Sequence, residues 1–127
     1  IVDQTVKILP NEPADIFANA TYIPDDMNPD YAKYWTAERV DRVLDVMEKH
    51  NIALEISARY KIPSLEVIKE AKKRGLKFTF GTNNVDADFG KLEYCLEAIE
   101  KCGITAEDIW FPTMSIRRTR PVVIYNK

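Results

Sequence analysis

The run Ile52-Ala-Leu-Glu-Ile56 limits the folds open to this chain more than any other segment. Four of its five residues are apolar, and they fall on both faces of an extended strand. Continuous hydrophobicity of this kind marks a parallel strand covered by helices, whereas a half-exposed antiparallel strand alternates cleanly. The flanking sequence agrees. Upstream, Thr36 is placed to cap a helix, Glu38 lies in its first turn, and Val40, Val43, Leu44 and Met47 follow the i, i+3, i+4, i+7 spacing of an amphipathic helix. Downstream, Ser64 caps a second helix with Leu65, Ile68 and Ala71 expected inward and Gly75 as its stop.

The same alternation extends along the chain. Residues 2 to 9 read as a helix ended by Pro10 and Pro13, and Asp15-Ile-Phe-Ala18 reads as a short buried strand. Lys77-Phe-Thr-Phe80 reads as a third strand, followed by the tight loop Gly81-Thr-Asn-Asn84. A helix is expected over 87–102 with Leu92, Leu96 and Ile99 inward, and Thr105-Ala-Glu-Asp108 resembles a capping box. The order αβαβαβα implies an α/β fold with parallel strands joined by long crossovers. Three such strands cannot close a barrel, which usually takes about 250 residues for eight. The pattern therefore reads as a partial, TIM-like barrel over 1–112 with a basic tail over 113–127. The chain also starts with Ile1 in what reads as a helix, which suggests a cut or processed polypeptide.

Composition narrows the function classes. The chain has 127 residues, 46% hydrophobic and 30% charged, as in an ordinary globular domain. A formal net charge of −2 gives no reason to expect nucleic acid or an anionic membrane surface as partner. The tail carries Arg117, Arg118 and Arg120 but no interleaved aromatics, and residues 122 to 125 read as a small extra strand. Cys95 and Cys102 sit seven residues apart, about 10 Å by helix rise and too far for a disulfide. They read as small buried hydrophobes, and their use favours a reducing compartment such as the cytoplasm. The one histidine, His50, closes a helix, where the carboxyl-end dipole accounts for it.

Parallel α/β folds bring ligands to the carboxyl ends of their strands. Those ends carry Asn19 and Thr21, then Glu55, Ser57, Arg59, Tyr60 and Lys61, then Gly81, Thr82, Asn83 and Asn84. Glu55 interrupts an apolar strand, and alternation puts it on one face with Ala53 and Ser57. A carboxylate there needs compensation, either from a metal or from an ion pair with Arg59 that braces the loop. Arg59, Lys61, Asn19 and Asn84 are candidates for holding a phosphate or carboxylate; a solvated loop is the alternative for Lys61, and a turn explains Asn83 and Asn84 equally well. The connection from 19 to 35 is long, with Asp25 and Asp26 as hard-cation candidates or solvent-facing charges. Its Tyr22, Tyr31, Tyr34 and Trp35 read as an aromatic lid or as loop packing.

Three segments, Asp15-Ile-Phe-Ala-Asn-Ala-Thr21, Ala53-Leu-Glu-Ile-Ser-Ala-Arg59 and Lys77-Phe-Thr-Phe-Gly-Thr82, resemble the PHP (polymerase and histidinol phosphatase) metal-dependent hydrolases. Trp35-Thr-Ala-Glu-Arg39 and Leu92-Glu-Tyr-Cys95 resemble one subgroup of that family, and the likeness spans roughly 2–112. It implies the carboxyl-terminal half of a distorted barrel. It also implies a phosphoesterase site with divalent Zn, Mn or Fe and a small phosphorylated or anionic substrate. Glu55 and Asn83 stand at family-matched metal positions. The family's amino-terminal His-x-His is absent from this chain. Asn19 stands where the family carries histidine, and Thr82-Asn83-Asn84-Val85 replaces Ser-Asp-Ala-His. The expectation is a hydrolase fragment inactive by itself. The alternatives are a degenerate relative that binds a small anion, or a self-associating α/β domain that pairs through an exposed sheet edge.

Overall fold

A computed structural model describes residues 1–87 and 89–112; the expected basic tail and the strand at 122–125 lie outside the described residues. Five helices alternate with three strands: α1 (Val2–Ile8), β1 (Ile16–Phe17), α2 (Tyr31–Tyr34), α3 (Ala37–His50), β2 (Ala53–Ser57), α4 (Leu65–Lys73), β3 (Phe78–Gly81) and α5 (Glu93–Cys102). The strands form one parallel sheet in the order β1-β2-β3. The α/β class and the parallel alternation read from the sequence are thus present.

Local sequence explains most boundaries. The Thr36 hydroxyl accepts from the Arg39 amide at the start of α3, and the Ser64 hydroxyl accepts from the Val67 amide at the start of α4. Asn51 ends α3 in the left-handed region, at φ 55°. Gly75, at φ 79°, turns the chain out of α4, its amide donating to Lys72 and that of Leu76 to Ala71. Past α5, Thr105 and Asp108 form the expected capping box around a short 3-10 turn.

Side-chain alternation divides the sheet. Leu54, Ile56 and Phe78 are almost wholly buried and join one core cluster with Leu44 and Met47 of α3, Ile68 and Ala71 of α4, and Ala98 of α5. Ala53 and Ser57 point the other way, and neither belongs to that cluster. Burying each large aliphatic side chain contributes about 1.5–3 kcal/mol. Arg74 adds a clasp between the two middle helices: its guanidinium donates to Asp41 (2.6 Å), Asp45 and Glu70 (3.0 Å).

Four details differ from the sequence reading. The expected buried strand at 15–18 contributes only two paired residues, and Ile16 is exposed. The 19–35 connection is not irregular throughout, since a 3-10 helix (Asp25–Asp30) runs into α2. In α4 the buried set is Val67, Ile68 and Ala71, with Leu65 half-buried. The last helix begins at Glu93, and Tyr94, Cys95, Ala98 and Cys102 face inward, while Leu96 is 62% exposed. Tertiary partners select that stripe. The Tyr94 hydroxyl donates to the Pro63 carbonyl (2.5 Å), and the Cys95 and Cys102 thiols donate to the Ile56 and Leu65 carbonyls.

Asp108 fastens the end of the described chain. Its Oδ2 accepts from Lys72 Nζ (2.6 Å) and from the Thr105 amide (2.8 Å), joining the capping turn to α4. Just beyond, Ile109 pairs in parallel with Phe78, and the Trp110 amide donates to the Phe78 carbonyl. The Lys72 ammonium first, then the Thr105 amide, lower the Asp108 pKa below its usual value. A depressed folded-state pKa gives stability that is present above the unfolded value and lost as pH falls through the folded one. Asp108→Asn is therefore expected to cost about 0.5–2 kcal/mol at pH 7. That difference should shrink below the ordinary carboxylate range, as read by urea denaturation at neutral and acid pH.

Candidate functional site

The carboxyl ends of the three strands meet at one edge, and the loops there close on one another. Asn83 Nδ2 donates to Asn19 Oδ1 at 3.1 Å, linking the loop after β3 to the loop after β1 across the end of β2. Both asparagines hold left-handed backbone, at φ 52° and 50°, which asparagine tolerates better than most residues. The loop after β2 folds back on its own strand: the Ser57 amide donates to the Ile62 carbonyl (2.7 Å) and the Ile62 amide to Ser57 (3.3 Å). Lys61 takes the left-handed position in that loop, at φ 51°.

Beneath this rim lies the sheet face turned away from the helical core. Parallel register places Glu55 opposite Thr79 and Ser57 opposite Gly81, so these four residues share the face. Neighbouring strands lie about 4.8 Å apart and alternate residues about 6.6 Å apart, so the polar side chains form one local group. The Glu55 carboxylate lies over Gly81, where an added Cβ would sit 2.6 Å from its Cδ and Oε2. Glycine at 81 thus leaves the space that the carboxylate uses.

These groups are poorly satisfied. Among the described residues no hydrogen bond or ion pair reaches the Glu55 carboxylate. Ser57 Oγ and Thr79 Oγ1 are buried with no hydrogen-bond partner, and Ser57 as a whole is 0% exposed. A buried polar atom left unpaired costs about 1–3 kcal/mol. Two such hydroxyls beside the half-buried Glu55 carboxylate make this face the chemically distinctive part of the described structure. The negative charge of Glu55 also acts on Cys95, whose thiol is pushed up to about 11, first by burial and then by that carboxylate. Such a thiol stays protonated and is a poor nucleophile or metal ligand.

The other sequence candidates fall around the rim. Arg59 does not pair with Glu55: its Nη2 donates to Asp86 Oδ2 at 2.8 Å, tying the β2 loop to the β3 loop. Lys61 and Asn84 are exposed, and Asn84 Oδ1 accepts from the Gly90 amide (3.0 Å) in a turn. Val85 is 66% exposed. Asp25 and Asp26 are exposed in the first turn of the 3-10 helix. The four aromatics of the long connection split up. Trp35 is buried in the core, Tyr34 is half-buried, and Tyr31 donates to Thr21 Oγ1 (2.6 Å). Tyr22 meets Tyr60 edge to face, with ring centres 4.9 Å apart.

Sequence reading passed over Thr79 as a ligand-face residue and named Gly81 only as part of the loop at the strand end. The signal was present, because Thr79 interrupts Phe78 and Phe80 just as Glu55 interrupts Leu54 and Ile56. The opposite edge of the sheet has a concavity of about 190 Å³ beside Asn51, Arg74, Lys77 and Trp110, but Arg74 is already held there by three carboxylates.

No protein-family model, curated protein or solved structure matches this chain.

The contact between Glu55 and Gly81 gives a direct test. In Gly81→Ala the new methyl group meets the far end of a flexible side chain, so the carboxylate swings aside at small cost. The expected loss of stability is under about 1 kcal/mol, and it should vanish when Glu55→Ala is added. A double-mutant cycle by chemical denaturation measures the coupling.

Proposed function

We propose that this chain is part of a PHP-like α/β barrel of hydrolase lineage, in which it supplies one wall of a ligand-binding mouth. The observation that carries this reading is the split between the two sheet faces. All three long helices contribute to the core on the Leu54–Ile56 face, while the other face holds Glu55, Ser57 and Thr79 with their polar atoms unpaired. In a barrel, helices cover the outer face and the inner face is completed by the remaining strands, with ligands at the carboxyl edge. The sequential order β1-β2-β3 and the parallel pairing of Ile109 beside Phe78 support a sheet that curls onward in one direction.

Glu55 is the group of this wall that faces the ligand, and Asn19 and Asn83 form its rim. The family's full metal cluster does not fit the residues present. Asn19, Asn83 and Val85 replace an imidazole, a carboxylate and a second imidazole, and neutral amides bind such metals poorly. Among the described residues no three histidine, cysteine, aspartate or glutamate side chains come together in a way that could hold a metal ion. The wall therefore binds and orients, and hydrolysis is not expected of it alone. An anion approaching Arg59 would first have to displace Asp86.

Two measurements check this reading. The 127-residue chain, given Mn²⁺ or Zn²⁺ and p-nitrophenyl phosphate, should show no turnover above the metal alone. Turnover that disappears in Glu55→Gln would mean the wall is a complete hydrolytic site. The outer side of β1 has no strand neighbour among the described residues. An unpaired edge of that kind recruits a second chain, so the isolated chain should self-associate. A single monomeric species in sedimentation, at concentrations up to about 100 times those of the assay, would contradict the open-edge picture.

A further inference from the structure

We infer that two copies of this chain close into one barrel, the β1 edge of each docking on the Ile109 edge of the other. The inference rests on the barrel reading above and names the partner that completes it.

The described chain is laid out as four units in which a helix leads into a strand position. These are α1 with β1, α3 with β2, α4 with β3, and α5 with Ile109, which pairs in parallel beside Phe78. Neighbouring units touch in the helix layer as well as in the sheet. α1 lies against α3 and α5 against α4, while Arg74 at the end of α4 donates to Asp41 and Asp45 of α3. Both layers stop at α1 and β1 on one side and at α5 and Ile109 on the other.

Exposed apolar side chains collect at those two ends. Ile8 of α1 (49% exposed) and Ile16 of β1 lie at the first, and Leu92, Leu96 (62% exposed) and Phe111 at the second. Among the described residues α3 and α4 carry no exposed large apolar side chain. Single surface leucines are ordinary, whereas exposed apolar groups confined to the open sides of a layered fold mark docking surfaces. α5 is apolar on two sides, with Tyr94, Cys95 and Ala98 buried inward and Leu96 outward, as suits a helix covered by a neighbour on each side.

The two ends suit each other better than either suits itself. The strands are all parallel, and α3, α4 and α5 share one face of the sheet. A two-fold axis pairing β1 with a second β1 would either reverse the strands or put the helices on opposite faces. Pairing β1 with the Ile109 edge of another copy continues both layers. Made once, such a head-to-tail contact leaves open ends; made twice, it closes. Four strand positions from each copy make eight, a number whose barrel interior side chains can fill. The inner face is suited to closure. Ile16 stands opposite Ala53 in register, and Ala53, Lys77 and Trp110 line the concavity of about 190 Å³ at the amino edge. Closing the ring covers this layer and brings a second Glu55 to the carboxyl mouth, so each copy completes the other's site.

The experiment is analytical ultracentrifugation of the 127-residue chain and two charge variants, Ile8→Glu and Leu96→Lys. The parent should form a dimer that does not grow into larger species as concentration rises. Each variant alone should weaken dimerisation at least about tenfold, because its charge enters an apolar seam without a partner. Mixing the two variants should restore a dimer, since one seam then pairs the introduced acid on α1 with the introduced base on α5 and the other seam is unaltered. Circular dichroism checks folding, and Ile8→Gln with Leu96→Gln carries the weakening test if a charge variant unfolds. A monomeric parent, a ladder of larger oligomers, a dimer indifferent to either substitution, or folded variants that fail to rescue each other would each overturn the inference. A dimer lost in Ile8→Glu but kept in Leu96→Lys would mean that β1 pairs with itself, and would leave the Glu55 wall standing. Glu55-dependent turnover in the phosphatase assay would change the reading of that wall and leave the ring untouched.

Discussion

The packing of one face of β2 against the helices governs the rest of this structure. Leu54 and Ile56, with Phe78 beside them, are the residues on which α3, α4 and α5 converge. Because strand side chains alternate, this choice also decides what faces the other way. Once Leu54 and Ile56 enter the core, Glu55 and Ser57 must leave it together. The polar face is thus a consequence of hydrophobic packing on its reverse, and a one-residue slip of register would exchange the two.

That coupling accounts for where polar strain is stored. Several helix ends and turns are satisfied: Thr36 and Ser64 cap α3 and α4, Asp108 closes the box around the last 3-10 turn, and Asn51, Gly75 and Gly103 take left-handed positions. Among the described residues, the buried side-chain polar atoms without partners are Ser57 Oγ and Thr79 Oγ1 on the Glu55 face and the Trp35 indole nitrogen in the core. Proteins tolerate such departures from local consistency mainly at sites of function. The loops above the face are braced independently of it, by Asn19 to Asn83 and by Arg59 to Asp86. A ligand group could therefore be exchanged at Glu55 without dismantling the rim. The Arg59 pair is partly exposed and contributes at most about 1 kcal/mol to stability, so its role is chiefly to hold one loop against the other.

Much of the fold was legible in the residues. Heptad-like spacing at Val40, Val43, Leu44 and Met47, the caps at Thr36 and Ser64, and the stop at Gly75 are local signals that need no tertiary partner. The site was only half legible. Glu55, Asn19 and Asn83 could be picked out because strand ends converge in parallel α/β folds, but Thr79 needed the register of β3 against β2. The partner of Arg59 is Asp86, 27 positions away in another loop, and no spacing rule reaches that far. The last helix shows the same limit: two apolar stripes were available, and hydrogen bonds from Tyr94 and Cys95 to the body of the protein selected the less hydrophobic one.

Short-range chemistry in the chain was enough to set element types, their order and the two-sided character of the central strand, because propensity, capping and alternation act over a few residues. It could not say which helix side chains would meet the Leu54–Ile56 face, nor which polar groups would be left without partners. Those outcomes depend on contacts between distant segments, such as Ile56 with Cys95, 39 positions apart, and Asn19 with Asn83, 64 positions apart. Such contacts compete on free energy only once the sheet has closed its register, which places that decision in the tertiary structure.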